Sequence, residues 1–242
     1  PLADTPQTIT VLTESQIEDS GKSDLKEILA AQPGITLGTG ENGNAFGDRY
    51  VIRGQEARSD VFVDGLRDPG MTTRESFALE QVEVTKGPSS TFAGRGSTGG
   101  AVNGITKQAN TGYAFNKLDV GAGTDDYRRI TLDTNQPITD DVAVRVNLLH
   151  AYEEVPDRGP ADRERNGAAV SGRYQATEKL DLVADYYFLS ANDNPDLGSY
   201  VDRESNPNDD IPVYVQNEDF LASDVQAFTF QAGHDFTDRG RL

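Results

Sequence analysis

The stretch Glu80-Gln-Val-Glu-Val-Thr-Lys-Gly-Pro-Ser-Ser-Thr-Phe-Ala-Gly-Arg-Gly-Ser-Thr-Gly-Gly-Ala-Val-Asn-Gly-Ile-Thr-Lys107 decides how the chain is read. Val82 and Val84 alternate with polar residues, as on a half-buried strand. A Lys-Gly-Pro turn follows, then Gly94, Gly96, Gly99, Gly100 and Gly104, with a second strand-like run among the last of them. Glycines this dense let backbone pack against another wall and take left-handed conformations. Their ordering costs entropy that something enclosing the segment must offset.

Gly94-Arg-Gly-Ser-Thr-Gly99 fits the dinucleotide pattern G-x-G-x-x-G. That fingerprint needs a helix opening after it, so that the helix N-terminus holds the pyrophosphate. Gly100 to Lys107 carries no helical apolar period, and no Gly-Lys-Ser/Thr follows Gly87 or Gly94, so a phosphate site is not expected.

Working outward, the first 110 residues mix short elements. Thr8–Thr13 alternates as a strand. Glu14–Ser20 reads as a helix capped by Thr13 and ended by Gly21, and Ser23–Gln32 as a second one with Leu25, Ile28 and Leu29 on one face. Strands are expected at Arg49–Gly54, Asp60–Asp64 and Gln81–Thr85, between polar loops at Thr39–Gly47, Gly54–Ser59 and Leu66–Glu75.

From residue 111 the pattern changes to long alternating segments, six in all, near 115–124, 127–136, 142–153, 167–176, 179–191 and 223–236. Val142, Val144, Val146 and Leu148 share one face, opposite Ala143, Arg145 and Asn147. The connections alternate between tight and long, as in a barrel with short turns on one side of a membrane and long loops on the other. A soluble β-sandwich also alternates. Strand length, and aromatics near strand ends (Tyr113, Phe115, Tyr127, Tyr152, Tyr174, Tyr187), favour the membrane reading.

Composition narrows the function. Hydrophobic content is 36% and there is no run long enough for a membrane helix. Cysteine is absent, which excludes thiolate metal sites and a thiol nucleophile. Residues 1–110 carry 10 Lys/Arg and 15 Asp/Glu, residues 111–242 carry 12 and 25, and the net charge of −18 argues against nucleic acid as a partner. His150 and His234 are the only histidines and lie far apart in sequence, leaving almost nothing for a histidine metal site or a catalytic triad. The acidic run Asp202–Asp210 lacks EF-hand spacing and reads as a solvated loop. No enzyme is expected.

With both halves in view, the chain resembles a TonB-dependent outer-membrane receptor, most like the catecholate-type ferric-siderophore receptors. The resemblance is carried by Thr5–Thr13, by Leu25, Leu29 and Pro33-Gly-Ile35, and by Tyr50-Val-Ile-Arg-Gly54. Asp60-Val-Phe-Val-Asp-Gly-Leu-Arg-Asp68, Glu80–Ser90 and Gly94–Asn103 complete it, and their order and spacing together are specific. It implies an α+β plug domain over residues 1–110, followed over 111–242 by antiparallel transmembrane β-barrel strands, about six of the 22 in such a barrel. At roughly 22 residues per strand the barrel needs about 480 residues after the plug, so the chain reads as a fragment. The segment that contacts TonB is expected upstream of Pro1.

The resemblance further implies a receptor in the outer membrane of a Gram-negative bacterium. It would be a monomer in lipid that binds an extracellular ferric siderophore and imports it with TonB-transduced energy. The siderophore ligates the iron, so no cofactor or protein-bound metal is expected. Alternatives are cobalamin, a saccharide or another metal chelate as cargo, or a soluble β-rich binding protein. Arg53 and Lys86 occupy positions that, in similar receptors, latch the plug to barrel-wall carboxylates, the local alternative being a bridge to Glu83 or Asp64. Ligand contact is expected from the loops Thr39–Asp48, Gln55–Ser59 and Arg67–Glu75. Arg58, Arg67 and Arg74 supply charge and flat stacking surfaces for an anionic aromatic chelate, with Phe46 and Met71 as apolar contacts.

Overall fold

The computed structural model describes residues 8–38, 49–57, 60–68, 73–87, 99–196, 198, 212–237 and 240–241. The chain forms two units, Pro1–Lys107 and Gln108–Leu242.

In the first unit, β1 (Thr8–Thr13) runs into α1 (Glu14–Asp19). Thr13 caps α1 with a full capping box: its Oγ1 accepts from Gln16 N at 3.4 Å, and Gln16 Oε1 accepts from Thr13 N at 3.0 Å. Helix α2 (Leu25–Ala30) is shorter than the expected Ser23–Gln32, with Asp24 as its N-cap, accepting from Lys26 N at 2.8 Å, and Ala31 as its C-cap. Then follow β2 (Ile35–Leu37), β3 (Tyr50–Ile52), β4 (Gln55–Glu56), β5 (Val61–Val63), β6 (Leu66–Arg67), β7 (Leu79–Lys86) and β8 (Gly100–Thr106). One sheet has the order β1-β7-β8-β5-β6, with β5 and β8 parallel and the other pairs antiparallel; a second has the order β2-β3-β4. Ile17, Leu25, Ile28 and Leu29 from the helices pack on Tyr50, Ile52, Val82, Val84 and Val102. Each such side chain contributes about 1.5–3 kcal/mol when fully buried.

The glycine-rich segment ends in a strand where a nucleotide site would need a helix. A Cβ on Gly99 would sit 2.4 Å from the Ile52 carbonyl oxygen, and one on Gly100 2.2 Å from that of Thr85. These glycines serve close backbone approach between strands, and the fingerprint match is incidental.

The second unit is an antiparallel meander: β9 (Phe115–Ala122), β10 (Arg128–Pro137), β11 (Val142–Glu154), β12 (Asp162–Thr177), β13 (Leu180–Asn194), β14 (Leu221–Thr237) and the stub β15 (Gly240–Arg241). The stub makes seven strands among the described residues, against the six expected. Connections 138–141 and 178–179 lie at one end; 123–127, 155–161 and the limbs 195–196 and 212–220 lie at the other. At two turns of the first end a threonine hydroxyl closes the loop. Thr139 Oγ1 accepts from Asp141 N and Val142 N, and Thr177 Oγ1 from Lys179 N and Leu180 N.

Burial in this sheet is inverted relative to a soluble protein. Along β11, Ala143, Arg145, Asn147 and Leu149 are buried, while Leu148 on the apolar face is 43% exposed. Exposed apolar side chains continue that face on every long strand: Leu118 and Val120, Ile130, Val170 and Tyr174, Tyr186, then Phe228, Phe230 and Phe236. Through the register, Val120 and Ile130 are level with His150, whereas Phe230 is level with Ala184, Gly172 and Val144. The band therefore slides by about one to one and a half residues per strand. With ~3.4 Å per residue and ~4.8 Å between strands, that is a tilt of roughly 35–45°, the inclination of membrane-barrel strands.

The aromatic expectation needs correction. Tyr113 and Tyr174 are exposed, but Phe115 and Tyr187 fall on the polar face, where the Arg145 guanidinium lies 5.3 Å from the Phe115 ring centre.

Candidate functional site

Two two-residue hairpin turns shape the first unit. Arg53-Gly54 joins β3 to β4 and Asp64-Gly65 joins β5 to β6, all four residues with positive φ (51°, 78°, 49° and 77°). This is the type I′ geometry that matches strand twist, and glycine fits its second position without strain. Arg53 therefore lies in a turn, not in the strand expected over 49–54.

The Arg53 side chain passes two other glycines. A Cβ on Gly34 would meet its Cγ at 3.9 Å and one on Gly87 its Nη1 at 3.4 Å. Gly87 directly follows Lys86, so the two cations of the expected latch share one corner. Among the described residues neither makes an ion pair. The local acceptors are committed elsewhere: Glu83 accepts from Gln81 Nε2 at 3.0 Å and Asn103 Nδ2 at 3.1 Å, and Asp64 accepts from Thr106 N at 2.9 Å and Thr106 Oγ1 at 2.7 Å.

Of the five expected ligand contacts, Phe46, Arg58 and Met71 lie outside the described residues. Arg67 is opposite Phe62 across the β5–β6 hairpin, its guanidinium 5.0 Å from the ring centre, and Nη1 donates to the buried Asp60 Oδ1 at 3.3 Å. A third of its side chain stays exposed, 32%. This arginine is held by a ring and a carboxylate, and its side chain stays partly exposed.

Arg74, expected as a ligand contact, is paired within its own unit. It is buried, its Nε and Nη2 hold Asp68 Oδ2 at 3.1 and 2.7 Å, and its carbonyl accepts from Leu25 N at 3.0 Å. Burial of a cation demands such a carboxylate, so Arg74 anchors the loop end to α2.

Sequence reasoning missed Asp60, Phe62 and Asp68 as props. A signal existed for Phe62: a two-residue Asp-Gly turn pairs Val63 with Leu66, and therefore Phe62 with Arg67. The two histidines stay apart from any ligand cluster. His150 Nδ1 is 2.8 Å from Asn166 Oδ1, and His234 stands edge-on to Phe236. The acidic run 202–210 lies outside the described residues.

In the second unit the polar face carries a built network. Arg145 holds Asp133 with Nε–Oδ1 2.9 Å and Nη2–Oδ2 2.8 Å, and Nη1 donates to the Gln108 carbonyl at 3.3 Å. Asn135 accepts from Asn110 N at 2.9 Å and donates to its carbonyl at 2.8 Å. Ser171 Oγ accepts from Ala109 N at 3.0 Å. The segment entering the sheet is thus stitched to its polar side.

Comparison with known proteins agrees with this arrangement. Residues 1–101 match the TonB-dependent Receptor Plug Domain. The protein named "Probable TonB-dependent siderophore receptor PiuA" of Acinetobacter baumannii is 39% identical over 98% of this chain, which covers 33% of that protein. Its crystal structure superposes with a TM-score of 0.88 at 38% identity, covering 98% of this chain and 35% of that one. The closed form of the ferric-catecholate import receptor Fiu from Escherichia coli K12 superposes with a TM-score of 0.89 at 32% identity, over 98% of this chain and 36% of that one. The chain spans about a third of the length of PiuA.

Proposed function

Because this chain belongs to the family of TonB-dependent outer-membrane receptors, we propose that it forms the plug and first barrel strands of a receptor that binds a ferric siderophore at the cell surface and imports it. The carrying observation is a glycine-rich α+β unit followed in the chain by a meander whose exposed face is apolar and whose buried face holds Asp133, Asn135, Arg145 and Asn147. Such a sheet is stable with hydrocarbon outside and polar groups enclosed.

In this reading the protein is a monomeric transporter in lipid, and it does no catalysis. The siderophore supplies every iron ligand, so the protein needs donors for the chelate's anionic oxygens and flat surfaces for its rings. Arg67, propped by Phe62 and Asp60, offers both, with Arg58, Phe46 and Met71 on the neighbouring loops. Arg74 supports the loop through Asp68. Arg53 and Lys86 latch the plug to carboxylates of the wall. A pull from TonB breaks ion pairs in a wet lumen at a lower cost than apolar packing would impose, and opens a path.

The names carried by PiuA and Fiu favour siderophores, and Fiu's favours catecholates. The test is a titration of the receptor in detergent, read by tyrosine fluorescence, with ferric tris-catecholate against a ferric hydroxamate. Saturable quenching by the catecholate is expected. Preference for the hydroxamate would change the cargo class, and binding of neither would overturn the siderophore reading.

A further inference from the structure

The ladder between β13 and β14 ends at Asp193–Leu221, yet the two limbs of their connection stay joined beyond it. Asn194 Nδ2 donates to the Gln216 carbonyl at 3.0 Å, and Asn194 N donates to Asp162 Oδ1 at 3.1 Å. Farther out a single arginine from the neighbouring connection takes over. Arg158 Nε and Nη2 donate to Asp196 Oδ2 and Oδ1 at 2.6 and 2.9 Å, on the outgoing limb. Its Nη1 donates to the Pro212 carbonyl at 3.4 Å, on the returning limb.

Arg158 is itself rooted in a closed turn. Val155 N donates to Ala161 O at 2.9 Å, Arg158 N to Val155 O at 3.0 Å, and Ala161 N to Arg158 O at 3.0 Å. Both partners of the ion pair are largely shielded, with side-chain exposures of 15% and 18%. The hydrogen bonds from Arg158 hold Asp196 below its ordinary carboxylate range.

We propose that Arg158 is a three-point strap that makes the β11–β12 connection and both limbs of the β13–β14 connection one mechanical unit. The guanidinium fork supplies the geometry: two parallel donors grip one carboxylate while a third nitrogen reaches a carbonyl, which the single ammonium of lysine does not reproduce. Displacing either connection therefore moves the other or breaks the pair. Both connections sit at the end of the sheet that carries its long loops, so motion at one loop is shared by its neighbour. The inference depends on no assumption about cargo.

The test is amide hydrogen exchange on the receptor in detergent, comparing peptides from 155–161 and 212–220. Arg158→Ala is expected to speed exchange in both by about tenfold or more, the loss of a bidentate charged hydrogen bond. Asp196→Asn is expected to speed 212–220 similarly, Arg158→Lys to fall between, and Arg158→Ala with Asp196→Ala to add nothing to Arg158→Ala alone. Strand peptides from 142–154 serve as the fold control. If they also speed up in Arg158→Ala, Asp196→Asn decides, because it leaves the 155–161 turn intact. The proposal is overturned if 212–220 changes by less than twofold in Asp196→Asn, or if Arg158→Ala affects 155–161 alone.

Discussion

Arg145 reaches diagonally across adjacent strands to Asp133, and two hydrogen bonds join them on the buried side of a sheet whose other side exposes Leu148. The pair is 4% and 7% exposed. Asn147, with its amide turned to donate, adds contacts of 3.0 and 3.2 Å to the same carboxylate. A soluble sheet buries Leu148 and exposes the ion pair. Here the order is reversed, as expected of a sheet whose apolar face meets hydrocarbon.

Removing one partner should therefore be costly. Arg145→Ala or Asp133→Ala is expected to destabilise the receptor by about 3–5 kcal/mol, because each leaves a buried charge uncompensated. The double replacement should cost less than the two single losses combined. Chemical denaturation in detergent measures all three. Additive losses would mean that the residues act independently.

Two glycines separate steric need from backbone need. Gly100 has φ +147° and a Cβ there would lie 2.2 Å from a carbonyl oxygen, while Gly21 has φ +67° with nothing within 4 Å. Gly21→Ala is expected to cost about 1–2 kcal/mol, the left-handed penalty alone. Gly100→Ala should cost well beyond that and leave the first unit protease-sensitive. Equal effects would refute the close-approach account.

Arg53 holds a left-handed conformation that glycine adopts without penalty. Arg53→Gly should thus stabilise the β3–β4 hairpin by about 1 kcal/mol while deleting the proposed latch. The expected signature is a plug that is locally sturdier by hydrogen exchange yet leaks ions in planar bilayers. A variant no leakier than the parent would show that Arg53 latches nothing.

The strap has a predicted pH response. Asp196 has a folded pKa below its ordinary 3.8, chiefly from the Arg158 hydrogen bonds, so its contribution is full above that value and is lost as pH falls through the lower folded one. The ratio of exchange rates in 212–220 between Asp196→Asn and the parent cancels the intrinsic pH effect. It should stay constant from neutral pH down to about 5 and approach one only below 3.8. A ratio that changes near neutrality would contradict the assignment.

Much of this was legible because alternation survives inversion. Val142 to Leu148 reads as one apolar face whether that face meets a core or hydrocarbon; only burial says which. Strand ends were less legible. β12 begins at Asp162, five residues before the expected start, because Asp162–Asn166 has no apolar alternation and is held by charge: Arg163 to Glu153 at 3.2 Å, and Arg165 to Asp193. β2, β4 and β6 are too short for any period to show. Arg74 reads as a ligand contact in sequence, since Asp68 resembles any loop acid until the fold buries the arginine against it. Arg158 and Asp196 stand 38 residues apart, and no local pattern links them.

The central claim is that even-numbered positions of β11 touch hydrocarbon and odd-numbered ones do not. The chain has no cysteine, so in a receptor cleared of any cysteine elsewhere, single cysteines at 142 through 148 give one label each. With the receptor in vesicles, a lipid-phase quencher should extinguish a fluorophore at 142, 144, 146 and 148 and spare 143, 145 and 147. Quenching without that two-residue period, or strongest at the odd positions, would contradict the account.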